Sequence, residues 1–165
     1  MFKKETYIAR RQKLLDLLKD EKGIAVFIGN VEAPAQYKDN CYKFRQDSTW
    51  LYYFGIDEPR FAAIIDLESG EQTIYADDFS IDDIIWMGPQ PSVAEQAAAV
   101  GISSTAPYSK LDLAVSSAIV KGRKIHTIPP SRYYNQLKLQ SLGIDEPSEA
   151  LIKAIISMRL VKSAE

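Results

Sequence analysis

The apolar run in "GIAVFIGN", residues 23–30, sets the tightest limit on what this chain can fold into. It is too short for a core helix, rich in β-branched side chains and bounded by glycines, so it reads as a buried strand. Such a strand has to be covered. Directly before it, "MFKKETYIARRQKLLDLLKD" has helical periodicity, with Ile8, Leu14, Leu15 and Leu18 on one side and Lys, Arg and Asp on the other. Gly23 supplies the stop. Helix followed by strand is an α/β opening.

The alternation continues along the chain. Residues 31–40 lose periodicity and carry Pro34, which predicts an exposed loop. "RFAAIIDLESGEQTIYADD" holds two β-rich runs joined through Glu68-Ser69-Gly70, a hairpin signal that predicts strands near 61–67 and 71–76. "SIDDIIWMG" predicts one or two helical turns with Ser80 as N-cap, and "PSVAEQAAAVG" carries a capping box at Ser92 and Glu95. "KLDLAVSSAIVKG" and "SRYYNQLKLQSLG" read as helices. Between them, "RKIHTIPP" reads as a strand within 123–128, broken by Pro129 and Pro130. "PSEALIKAIISMRLVKS" predicts a last helix from Pro147 and Ser148, with Leu151, Ile155 and Met158 at helical spacing. There is no internal repeat and no Gly/Ser linker. The expected fold is a single α/β domain, a mixed β-sheet flanked by helices, with strands near 24–28, 61–67, 71–76 and 123–128 in one sheet. At 165 residues and 46% hydrophobic content, the chain suits one core of that kind.

Composition removes several function classes. Lys and Arg total 20 against 22 Asp and Glu, a formal net charge of -2 with both signs dispersed, so neither nucleic acid nor an anionic membrane is an expected partner. No segment approaches the ~20 apolar residues of a membrane span, and the N-terminus lacks a signal peptide's apolar run. The single cysteine, Cys41, cannot form an intramolecular disulfide and fits a reducing compartment, so a cytoplasmic location is expected. One histidine, His126, excludes a histidine-based metal cluster and reads as a packed strand residue. Cys41 as a nucleophile would need His126 as its base; a small apolar side chain near a loop is the simpler reading. Neither a phosphate-binding loop nor a dinucleotide fingerprint is present. Asp77 with Asp78, and Asp82 with Asp83, are adjacent acids that point apart in a strand or act as capping charges at a helix start. No metal or cofactor is expected in this chain.

The densest chemistry lies in "YKFRQDSTWLYYFGIDEP", residues 42–59, with six aromatics, two basic groups and three acids in eighteen positions. Trp50, Tyr52, Tyr53 and Phe54 cannot share one face; several are expected to fill the space between sheet and helices, with Arg45 and Asp47 satisfying one another and tying the incoming loop. This stretch strongly resembles the signature of the N-terminal domain of Xaa-Pro aminopeptidases, in the creatinase and methionine aminopeptidase superfamily. "DDIIWMGPQPSVAEQAAAVGI" resembles that family's Ile-Trp-x-Gly segment and alanine-rich helix, and "ISMRLVKSAE" resembles its junction with the catalytic domain. The three motifs stand in the family's order. Thr49-Trp50-Leu51 and the proline-rich Gly88-Pro89-Gln90-Pro91 depart from the commoner pattern and bear on loop shape.

The resemblance implies a creatinase/prolidase N-terminal domain over residues 1–165, with a ribonuclease-H-like arrangement. It implies a pita-bread catalytic domain after residue 165 that holds a dinuclear metal centre, usually manganese. The role implied here is non-catalytic: supporting a homo-oligomer and shaping the entrance to an active site that releases the N-terminal residue from X-Pro peptides. A prolidase, a creatinase-like amidinohydrolase and a stand-alone binding module are the alternatives. An apolar patch around Met158 and Leu160 is expected where the catalytic domain would meet this one. Trp86 is the candidate site residue. Ile84, Ile85 and Trp86 could form the buried side of a short helix, yet three consecutive residues cannot all face inward and Gly88, Pro89 and Pro91 turn the chain outward. In the enzymes resembled, the Trp of the Ile-Trp-x-Gly segment enters a neighbouring subunit's active site, so Trp86 is expected to contact substrate in trans.

Overall fold

The computed structural model describes residues 2–37 and 40–159. Five strands, β1 (Ile24–Ile28), β2 (Ala62–Asp66), β3 (Gln72–Tyr75), β4 (Ser104–Ala106) and β5 (Ile125–His126), form one sheet in the order β4-β3-β2-β1-β5. β1 pairs antiparallel with β2 and parallel with β5; β3 pairs antiparallel with β2 and parallel with β4. The sheet is mixed, and the two strands expected from the hairpin signal pair as a hairpin. The strand sought within 123–128 is only two residues long, because Pro129 and Pro130 follow it.

Both faces of the sheet are covered, which is why "IAVFI" has no polar side. Ala25 and Phe27 of β1, with Ala63 and Ile65 of β2, face one core. Helices α1 (Lys4–Leu17), α2 (Ser48–Tyr53), α4 (Val93–Ala99) and α7 (Glu149–Arg159) pack over it. Ile24 and Val26, with Ala62 and Ile64, face the other core, under α5 (Lys110–Val120) and α6 (Tyr133–Ser141). A one-residue register slip would exchange the two faces of β1, so the pairing of Phe27 with Ala63 is fixed by bulk on both sides. Residues 81–86 of helix α3 (Ile81–Met87) contribute to neither core.

The helix before β1 corrects the sequence reading. Its buried stripe is Tyr7, Arg10, Arg11 and Leu14, continued by Leu18, while Ile8 is 42% exposed and Leu15 only partly buried. Ile8 instead covers the turn after α4: a Cβ added to Gly101, at φ +83°, would lie 2.5 Å from Ile8 Cγ1. Two further corrections follow from packing. Met158 is buried at 5% exposure, with the Tyr53 hydroxyl donating to its sulfur at 3.2 Å, so it belongs to the core and not to an open patch. Leu160 lies outside the described residues. β4 and α2 had no sequence signal read for them. β4 is three residues defined by its ladder to β3, and α2 is a six-residue aromatic helix started by Asp47, whose Oδ1 accepts from the Thr49 and Trp50 amides at 2.8 and 3.0 Å.

The hairpin and the link into β5 are joined by Arg123, which pairs with both Asp66 and Glu68. Asp66 accepts from the Glu68 and Ser69 amides inside the turn, and Arg123 donates to both of its oxygens at 2.8 and 2.9 Å. Those bonds to Arg123, first, and to the turn amides hold the Asp66 carboxyl down at about 2, against the desolvation of a three-quarters buried side chain. A depressed folded-state value means stability that is complete above the unfolded carboxyl's titration near ~4 and lost as pH falls through about 2. Asp66→Asn is therefore expected to lose on the order of 1–2 kcal/mol at neutral pH. Its urea midpoint should also vary less than the parent's between pH ~4 and ~2, as measured by equilibrium unfolding across that range.

Candidate functional site

Helix α3 is built as a self-contained projection. Ser80 and Asp83 form a capping box: the Ser80 hydroxyl oxygen accepts from the Asp83 amide at 3.2 Å, and Asp83 Oδ2 accepts from the Ser80 amide at 3.0 Å. The Ser80 hydroxyl and amide hold the Asp83 carboxyl below its ordinary value. At the other end Gly88, with φ +78°, ends the helix and donates to the Ile84 carbonyl at 2.8 Å. The helix terminates locally at both ends.

Two aspartates tie the roots of this projection to the domain. Asp78 Oδ1 accepts from the Val93 amide at 2.6 Å, closing the base of the 79–92 excursion and capping the start of α4. Asp77 Oδ1 accepts from the Tyr108 amide at 3.0 Å, and its other oxygen lies 3.8 Å from the Arg60 guanidinium, which itself sits 5.2 Å over the Tyr108 ring. Asp82 lies in the first turn of α3. Asp77, Asp78 and Asp83 are thus placed by backbone and capping roles, and among the described residues no three His, Cys, Asp or Glu side chains converge to hold a metal.

On this closed base every residue from 81 to 86 is exposed. Ile81 is 78%, Ile85 72% and Trp86 88% exposed, and Ile84 also faces water. An apolar helix surface without cover is costly in a monomer and marks a contact face. The reading in which Ile84, Ile85 and Trp86 form a buried side is overturned, because all three side chains are exposed. Trp50, by contrast, is 1% exposed, stacks on Phe54 with ring centroids 4.5 Å apart, and donates its indole N–H to the Ile56 carbonyl at 2.8 Å.

The loop before α2 is tied differently from expectation. Arg45 is exposed and makes no pair with Asp47; its carbonyl instead accepts from Asn30 Nδ2 at 2.8 Å and Arg132 Nη2 at 3.2 Å. Buried Gln46 does the tying. Its Oε1 accepts from the Asn30 and Asp47 amides at 2.6 and 2.7 Å, and its Nε2 donates to the Glu58 carbonyl at 2.8 Å. A buried glutamine leaves no periodic signal; its place just before a capping aspartate is the one clue the sequence carried. His126, fully buried, donates from Nε2 to the Lys22 carbonyl at 3.0 Å and bonds the Ser148 hydroxyl through Nδ1 at 2.7 Å, a structural joint between β5, β1's approach and the start of α7.

Residues 7–127 match the family described as Aminopeptidase P, N-terminal domain. The chain belongs to that family. The chain is 29% identical over 164 residues to the Arabidopsis thaliana mitochondrial intermediate cleaving peptidase 55, covering 96% of this chain and 32% of that protein. It is 32% identical over 78 residues to a probable Xaa-Pro aminopeptidase of Paracoccidioides lutzii, covering 47% of this chain and 15% of that protein. Among solved structures, Pseudomonas aeruginosa aminopeptidase PepP superposes with a TM-score of 0.79 at 20% identity, over 99% of this chain and 40% of that one. An Escherichia coli aminopeptidase P variant in complex with substrate gives 0.74 at 16% identity, over the same shares of each chain. These likenesses establish the fold: a mixed five-stranded sheet flanked by helices. The chain spans about a third or less of the curated relatives' length.

With two tryptophans in opposite environments, fluorescence reads the geometry of this aminopeptidase P N-terminal domain directly. Acrylamide quenching is expected to resolve one accessible and one protected emitter, and Trp86→Phe should remove the accessible, red-shifted component while leaving thermal stability within about 0.5 kcal/mol of the parent.

Proposed function

We propose that this chain is the non-catalytic N-terminal domain of a proline-specific, cytoplasmic metallo-aminopeptidase that releases the N-terminal residue from X-Pro peptides. Residues 1–165 work beside a catalytic domain of the same polypeptide. The donors for the dinuclear manganese and its activated water are assigned to that domain. This domain's part is to support a homo-oligomer and to narrow the active-site entrance.

The observation that carries the reading is Trp86, 88% exposed on a capped helix whose base is closed by Asp78. A flat, rigid ring held out from the domain suits packing on a bound peptide in a neighbouring subunit, with Ile81 and Ile85 as the apolar surround covered on assembly. In trans contact of this kind couples oligomer to substrate: the pocket is complete only when two copies meet.

Trp86→Ala in the full-length enzyme tests this. The kcat/KM on an X-Pro tripeptide is expected to fall about tenfold or more, the size of one apolar pocket contact, in a protein whose oligomeric state by light scattering is unchanged. Unchanged kinetics in an intact oligomer would contradict the role. Parallel assay of X-Pro dipeptides separates the aminopeptidase from a prolidase.

A further inference from the structure

Strands β1 and β5 run parallel, β5 ending at His126 opposite Ala25 and β1 continuing to Ile28, and the chain leaves them through residues 29–30 and 127–130. Open α/β sheets receive ligands outside the carboxyl ends of such strands. Two adjoining hollows lie there. The inner one, about 20 Å³, is walled by Phe27, Trp50, Asp47 and Asn135, and the outer one, about 230 Å³, by Gln136, Ile144, Asp145 and Glu146. They share residues 127–130 and Leu139 as a common wall.

One side-chain atom lining the inner hollow has no partner among the described residues. Asn135 is 3% exposed; its Nδ2 donates to Asn30 Oδ1 at 3.0 Å, while its Oδ1 is buried and accepts from nothing among the described residues. Rotating the amide does not repair this. Asn30 commits its own Nδ2 to the Arg45 carbonyl, so it presents an oxygen to Asn135, and only a donor can face that oxygen. A buried acceptor left unpaired is costly, and here the cost is tied to a hollow beside it.

The other polar groups around the hollows are mainly acceptors as well. Asp47 Oδ2 takes only a long bond from Ser131 Oγ at 3.3 Å, and Thr127 spends its hydroxyl hydrogen on the Val26 carbonyl at 3.4 Å. Asp145 and Glu146 stand exposed at the outer hollow, the glutamine amides of Gln136 and Gln140 offer both senses, and no Lys or Arg lines either space. Ile128, Pro129, Pro130 and Leu139 complete an apolar floor.

We propose that this cleft is a binding site for a primary ammonium group carried on a short apolar stem. The ammonium has donors only, and it is the charged group that the orphan amide oxygen and Asp47 of the inner hollow would accept, with Asp145 and Glu146 adding negative charge at the outer one. The stem lies on the proline floor. The site is in this chain's own fold and does not depend on the peptidase reading or on Trp86.

The test is an NMR titration of the 165-residue protein with n-butylammonium chloride, with sodium butyrate and 1-butanol as controls. The side-chain amide of Asn135 and the indole N–H of Trp50 are expected to shift saturably with butylammonium at millimolar concentration and not with butyrate. Asn135→Leu should abolish the response. Should that variant fail to fold, the exposed pair Asp145→Asn with Glu146→Gln carries the test, and it should weaken binding about threefold. Equal shifts from butyrate and butylammonium, shifts that do not saturate, or an unaltered affinity in the folded variants would overturn the proposal and leave Asn135 Oδ1 to water alone.

Discussion

Arg11 is 1% exposed and has no carboxylate partner among the described residues, so its charge is held by the ends of other elements. Its Nε donates to Gln72 Oε1 on β3 at 2.6 Å, one Nη to the Tyr53 carbonyl at the end of α2 at 2.7 Å, and the other to the Val100 carbonyl that closes α4 at 2.6 Å. Carbonyls at helix ends are unpaired within the helix and carry partial negative charge, so a planar fork of donors satisfies them and is stabilised in return. Desolvation pulls the guanidinium down to about 10, which still leaves it charged at neutral pH. Arg10 repeats the pattern nearer the surface, donating to the Tyr52 carbonyl at 3.0 Å and lying 4.1 Å over the Tyr52 ring.

This clamp decides where the functional face is presented. β3 and α4 are the elements immediately before and after α3, and both are pinned to α1 through one side chain. Asp78 then closes the excursion between them, so α3 can project without support beneath it and still hold a defined direction. At the same end of the strands, beyond Ile28, Gln46 and Asn30 do the equivalent for the loop ahead of α2, and Asn135 joins that network with one half of its amide.

How much of this was legible in the sequence depends on the range of the interaction. The N-cap at Ser80, the capping box at Ser92 and the hairpin around Gly70 are local, and each is found where its residues predicted it. The exposure of Trp86 was also readable, from glycine and prolines that leave a short helix nothing to fold back on. Arg11 was not. Its three partners lie 42, 61 and 89 residues away, and a periodicity argument sorts arginine to the solvent side and Ile8 to the core, the reverse of what is found. Gln46, Asn135 and the ladder that defines β4 escaped for the same reason: each is a polar or short element whose meaning comes from distant chain.

The dependence of the fold on Arg11 can be measured by equilibrium urea unfolding of Arg11→Met beside the parent protein. Methionine keeps much of the volume but strands the Gln72, Tyr53 and Val100 oxygens, so we expect a loss of about 3 kcal/mol or more with an unchanged denaturant slope. A loss below about 1 kcal/mol would contradict the clamp and place the stability of this domain in its two apolar cores alone.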